Sequence, residues 1–249
     1  MSIAVASPRL ALATAARCLL QLVHDKRSIT MILVVPSVLM FLLYSLFDNA
    51  VLFNRVGLIM LGIFPHIIMF LITSISMLRE RTTGTLERLL TTPMHRADLL
   101  AGYALAFGLA AAVQGAVSAG VSYWLFDLRT AGAPEWVVLL AIMNALLGVA
   151  TGLLTSAFAR TEFQAVQFMP LTVFPQMLAG GVIVPREQMA DWLQRLSDFF
   201  PLTYAVEALQ EVGVNAEPTS TMWTDLGIVG GVIIVALALG AMTLRRRTP

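Results

Sequence analysis

The chain has 249 residues, of which 58% are hydrophobic and only 12% charged, and its mean hydropathy is +0.81. Soluble domains carry about 25% charged residues, so the composition excludes an ordinary soluble protein and points to an integral membrane one. A net charge of +1 leaves no basic footprint for nucleic acid, and the single cysteine, Cys18, excludes an internal disulfide.

The first residues lack a compact basic region running directly into an apolar core with a cleavage site, so no cleavable signal peptide is expected. Residues 8–28 read as an amphipathic helix lying on the membrane surface. Leu12, Ala16, Leu19, Leu20 and Val23 form one face, and Thr14, Arg17, Gln21, His24 and Ser28 the other. Arg9, Arg17, Lys26 and Arg27 can meet anionic headgroups. Residues 29–47 are the first expected span, with Pro36 a kink. Asp48, Asn49, Asn54 and Arg55 mark a loop, and residues 57–78 are the second span.

Residues 79–96 are the longest polar interruption in the first half, with Arg79, Arg81, Arg88, Arg96 and His95 between two apolar runs. Within it Leu86, Leu89 and Leu90 recur at helical spacing, Gly84 loosens the entry and Pro93 stops the helix. A helix this short is marginal alone and needs a surface for its leucines.

Residues 97–126 are the third span, with small-residue pairs Gly108/Ala112, Ala111/Gly115 and Ala116/Gly120 suited to close helix packing. Residues 136–158 and 164–184 are the fourth and fifth, the latter broken by Pro170 and Pro175. Residues 185–225 are a second polar segment, including a short amphipathic helix from Glu187 to Asp198. Residues 226–244 are the sixth span, closed by Arg245, Arg246 and Arg247.

With both termini and residues 79–96 placed inside, twelve of the sixteen basic residues are cytoplasmic and only Arg55, Arg129, Arg186 and Arg195 are outside. The positive-inside rule therefore expects six spans with cytoplasmic termini.

No catalytic or metal motif is present: there is no HExxH, CxxC or GxSxG. Lys26 is the only lysine and follows Asp25, so the chain has no Walker A loop. The expected spans carry no Asp, Glu, Lys or Arg at mid-membrane, which argues against an ion-coupled transporter, with His66 the one opening. His66, Thr73, Gln114, Asn144, Gln164, Gln167 and Gln176 are polar residues in spans, suited either to interhelical hydrogen bonds or to lining a path. Phe64, His66, Phe168, Met169 and Gln176 are the candidate path residues. Phe200, Tyr204 and Glu207 are candidates for an outer gate, and the role of Glu211 stays open.

Arg79-Glu80-Arg81, Gly84-Thr85-Leu86-Glu87, Leu89-Leu90 and Thr92-Pro93 together resemble the signature of type-2 ABC-transporter permeases. Leu178 to Pro185 and Pro201-Leu202 with Ala205-Val206-Glu207-Ala208-Leu209 are similar to a second family pattern. The resemblance implies an all-α integral membrane fold with an N-terminal elbow helix. It implies six transmembrane helices, a cytoplasmic coupling helix and a broken, re-entrant fifth element on the outer side. It implies that Arg81, Gly84, Thr85, Leu86, Glu87, Arg88, Leu89 and Leu90 dock a separate P-loop ATP-binding subunit, present in two copies. ATP and Mg would be bound there and no cofactor by this chain. A second permease subunit, identical or not, completes the complex in a bacterial plasma membrane. The implied activity is export of a drug- or lipid-like amphiphile. The alternatives are a non-transport assembly or sensor subunit that docks an ATPase, and an ion-coupled transporter built on His66.

Overall fold

The computed structural model describes residues 8–84, 96–182 and 184–243. Thr85, Leu86, Glu87, Arg88, Leu89 and Leu90, the core of the expected coupling helix, lie outside the described residues.

Among the described residues every regular element is helical. In chain order they are α1 (Pro8–His24), α2 (Lys26–Leu46), α3 (Ala50–Thr82), α4 (Arg96–Leu125) and α5 (Pro134–Thr155). There follow α6 (Glu162–Ala179), a 3₁₀ turn at Arg186–Gln188, α7 (Asp191–Ser197), α8 (Pro201–Val214) and α9 (Ser220–Thr243). Five of these helices (α2, α3, α4, α5 and α9) are long and apolar enough to cross a membrane. The expected fifth span, 164–184, is instead the 18-residue α6, which ends at Ala179 and is not one of the five. Gln164, Gln167 and Gln176 lower its hydrophobicity, and Gly180 and Gly181 (φ +80°) end it.

The bundle is built on α3. This helix is 33 residues long, and much of its length is buried, from Phe53 to Leu78. Asn49 caps it by accepting from the N–H groups of Val51 (2.9 Å) and Leu52 (3.3 Å), so helix already begins at Ala50. Asn54 and Arg55, expected in a loop, are therefore helical. Asn54 Oδ1 accepts from the Arg129 N–H at 3.1 Å and ties α3 to the α4–α5 loop.

Against α3 lies α5, at a distance set by glycine. A Cβ on Gly148 would run into the His66 carbonyl. One on Gly152 would lie 2.6 Å from the Phe70 carbonyl oxygen. The α4–α5 seam uses Ala111 and Gly115, the latter leaving 2.9 Å to the Ile142 nitrogen. Gly120 meets only its own helix's Trp124 and Ala116 is exposed, so that expected pair is not part of the seam.

The surface helix is shorter than expected. It breaks at Asp25, which caps α2 by accepting from the N–H groups of Arg27 (3.1 Å) and Ser28 (3.4 Å) and from the Ser28 hydroxyl (2.7 Å). Its apolar stripe is exposed at Leu12, Leu20 and Val23. The protein is met by a different face, Ala11, Thr14, Ala15, Cys18 and Leu22, which packs on α4 over Gly102. The last expected span also starts early, at Ser220 rather than residue 226.

Candidate functional site

The end of α3 is where the polar groups converge. Arg79, Glu80 and Arg81 are consecutive, so on a helix they point in three directions about 100° apart. Each meets a different element. Arg79 grips Glu162, at the start of α6, through Nε (2.7 Å) and Nη2 (3.1 Å) in the forked geometry that suits a carboxylate. Glu80 Oε1 accepts from Arg17 Nη1 of α1 at 3.0 Å. Arg81 Nη1 donates to the carbonyl of Ser156, the residue that caps the C-terminus of α5, at 3.3 Å. A cation there meets both unpaired carbonyls and the negative end of the helix dipole.

The Arg17–Glu80 pair is the better shielded. Its side chains are 30% and 13% exposed, against 56% and 51% for Arg79–Glu162. Arg17 Nη2 also donates to the Tyr103 hydroxyl of α4 at 2.8 Å, and its guanidinium lies 5.9 Å from the ring centroid. The α5–α6 turn is preorganised too. Thr161 caps α6 by accepting from the Gln164 N–H, and Gln164 Oε1 accepts from the Arg160 N–H at 2.8 Å. Gly84 follows in the left-handed conformation (φ +73°), after the Thr83 N–H has bonded back to Arg79. The sequence had singled out Arg81 and Gly84; the partners of Arg79 and Glu80, and the role of Arg17, it did not reveal.

At the other end of the bundle, Arg186 bridges Glu207 of α8 (3.1 Å) and Asp198 after α7. Tyr204 donates its hydroxyl to the Asp198 carbonyl at 2.8 Å, and Phe200 is the N-cap of α8. Of the expected gate residues Glu207 is held by Arg186, which the sequence did not single out, and Tyr204 by the Asp198 backbone. Glu211 accepts from the Thr219 hydroxyl (2.7 Å) and the Asn215 amide (3.1 Å), so it anchors the α8–α9 turn. Helix α8 itself is packed, with Leu202, Ala205, Val206, Ala208, Leu209 and Val212 buried.

The expected path residues do not share one surface within the chain. His66 is 2% exposed, and its Nδ1–H donates to the Asn144 carbonyl at 3.2 Å, which sets its tautomer. Phe64, Met169 and Phe168 pack against three separate core clusters. Gln176 bridges α6 and α8: its amide donates to the Thr172 carbonyl (2.8 Å) and its carbonyl accepts from the Leu202 N–H (3.3 Å). Between α3, α4 and α5 lie Thr73, Ser74, Gln114, Ser118 and Asn144. There both amide atoms of Gln114, the three hydroxyls and Asn144 Oδ1 are buried without a hydrogen-bond partner among the described residues. The described residues hold no group of three or more His, Cys, Asp or Glu able to bind a metal ion.

Comparison with known proteins identifies the family. The family model described as "ABC-2 type transporter" matches residues 9–213. The chain is 28% identical to the linearmycin resistance permease protein LnrN of Bacillus subtilis (strain 168) over 68% of its own length and 44% of the relative's. It is 26% identical to the probable multidrug ABC transporter permease YbhR of Escherichia coli (strain K12), over 63% of this chain and 42% of that one. With the probable doxorubicin resistance ABC transporter permease protein DrrC of Mycobacterium tuberculosis (strain ATCC 25618 / H37Rv) the identity is 26%, over 82% and 74%. The chain spans less than half the length of the first two relatives. The family match covers the surface helix, the polar junction at the end of α3 and the α8 segment alike, and on it this multi-pass membrane chain belongs to the ABC-2 type transporter family.

Proposed function

We propose that the chain is the membrane subunit of an ATP-driven exporter that moves a drug- or lipid-like amphiphile across a bacterial plasma membrane. A separate P-loop subunit, present in two copies, binds ATP and Mg and docks on residues 79–96. Both termini are cytoplasmic, α6 is the fifth of six spans, α1 is the elbow helix, and residues 185–225 form the outer re-entrant segment with Phe200, Tyr204 and Glu207 at its gate.

The observation that carries this reading is the junction at the end of α3. Three consecutive side chains tie one point to α1, α5 and α6. A push delivered to the segment that follows Gly84 would reach all three elements at once. Switching a two-state path from mostly closed to mostly open takes about 5.5 kcal/mol of differential binding. Leu86, Leu89, Leu90, Glu87 and Arg88 are the residues proposed to receive it from the ATPase. The names of the relatives, resistance and multidrug permeases, favour an amphiphilic cargo.

The cargo path lies between two copies, identical or not. In a single chain α6 leaves Gln167, Leu171 and Phe174 exposed, and a glutamine facing lipid is costly. A second permease covers this face, with Phe168, Met169 and Gln176 beside it. The test is substrate-stimulated ATP hydrolysis by the reconstituted complex. Wild type responds to an exported amphiphile, whereas Leu89→Asp inserts normally but binds no ATPase subunit and gives no stimulation. Normal transport by Leu89→Asp would refute the docking role.

A further inference from the structure

A cavity of about 300 Å³ lies beside the α3 junction, between α1, the start of α2, α3 and α4. Its polar wall includes Asp25, Arg79, Glu80 and Ser76, and its apolar wall includes Leu22 and Phe107. Gln21 and Arg79 on its rim are exposed, so it opens to the surface. A volume at the lower limit of small-molecule sites holds a headgroup and the first few methylenes of a chain, and no more.

The charges decide what kind of headgroup. Glu80 Oε1 is taken by Arg17, but Glu80 Oε2 is buried with no hydrogen-bond partner among the described residues. A buried carboxylate oxygen without a donor is an unsatisfied acceptor. Arg79 is turned to Glu162 through Nε and Nη2 and does not supply the donor. Among these lining groups and their ion-pair partners, the carboxylates Asp25, Glu80 and Glu162 face two guanidiniums, Arg17 and Arg79. One negative charge is left over. A ligand that fits brings a positive charge with N–H donors at one end and an apolar tail at the other. We propose that this cavity binds the ammonium group of an amphiphile, with Glu80 Oε2 as acceptor, Asp25 as second counter-charge, and the first methylenes against Leu22 and Phe107. In the orientation proposed above the cavity opens on the cytoplasmic side; binding itself does not depend on that.

The test uses the full-length chain in non-ionic detergent, without ATP or a partner, so a failed export reading leaves its result unaffected. Dodecylammonium is the probe and native mass spectrometry the readout. Wild type binds one saturable equivalent. Glu80→Gln, which removes the charge, weakens binding about tenfold. Ser76→Phe fills the cavity while keeping both members of the Arg17–Glu80 pair and abolishes binding, so the test survives if Glu80→Gln fails to fold. Displacement by phosphatidylethanolamine but not phosphatidylglycerol supports the site and assigns it to a bilayer lipid. Displacement by neither supports it and assigns it to a free amphiphilic amine. Equal binding by wild type, Glu80→Gln and Ser76→Phe, or displacement by both lipids, overturns the proposal.

Discussion

Asp25 separates two helices with one side chain. The Ser28 hydroxyl's hydrogen bond holds its carboxyl below the usual carboxylate range, and the N–H groups of Ser28 and Arg27 act in the same direction against burial. A depressed pKa stabilises the fold above the unfolded value of about 3.9, and that contribution is lost as pH falls through the folded value. Asp25→Ala should therefore cost about 1 kcal/mol at pH 7, with Asp25→Asn much milder because asparagine also caps. Thermal unfolding against pH should show the wild-type advantage over Asp25→Asn vanishing only below about pH 4. Cys18 behaves oppositely: burial pushes its thiol up to about 12. It should resist N-ethylmaleimide at pH 7 in the folded chain and react fully in denaturant. Gln114, whose amide atoms are both buried and unpartnered, is a site of recoverable stability. An orphaned polar group costs about 1–3 kcal/mol, so Gln114→Leu should raise the melting temperature by a few degrees. A lower one would mean that the amide is paired in the membrane.

Between elements, the exposed Arg79–Glu162 bridge adds little to stability, about 0–1 kcal/mol for such a pair. Its proposed role is mechanical. Arg79→Glu alone should leave the melting temperature nearly unchanged and uncouple ATP hydrolysis from transport. Adding Glu162→Arg should restore coupling, and normal transport by the single variant would remove the role. The α3–α5 seam is the opposite case, rigid and close. Gly148→Leu places a side chain against the His66 backbone and should abolish folding, as seen by loss of the monodisperse peak on size exclusion. Gly231→Leu, with nothing within 4 Å of its Cβ, should elute like wild type. Composition marked the α4 glycines readily, because small-residue pairs four apart are visible in sequence. Gly148 and Gly152 are also four apart and were passed over; that they make the closer contacts depends on where α3 lies.

On the scale of the molecule, the exposed face of α6 should meet a second permease. Leu171→Cys in a Cys18→Ser background should give a disulfide-linked dimer in native membranes, and an unchanged monomer would move the interface elsewhere. The membrane class and five of the spans were legible in the chain alone. Each is a run of about twenty apolar residues, and transfer into lipid is a local sum over such a run. The Arg79-Glu80-Arg81 motif was legible for the same reason, as a charged interruption between two such runs. Helix α6 was legible as a helical stretch but not in its end point, because its glutamines dilute the signal. What only the tertiary structure decided is who meets whom. Arg17 finds Glu80 across 63 residues and Arg79 finds Glu162 across 83. Thr219 turns Glu211 into a loop anchor, and α1 turns Ala11, Thr14, Ala15, Cys18 and Leu22 toward the protein while Leu12 and Leu20 stay exposed. Such pairings depend on how helices distant in sequence pack side by side, and no local pattern of residues encodes that.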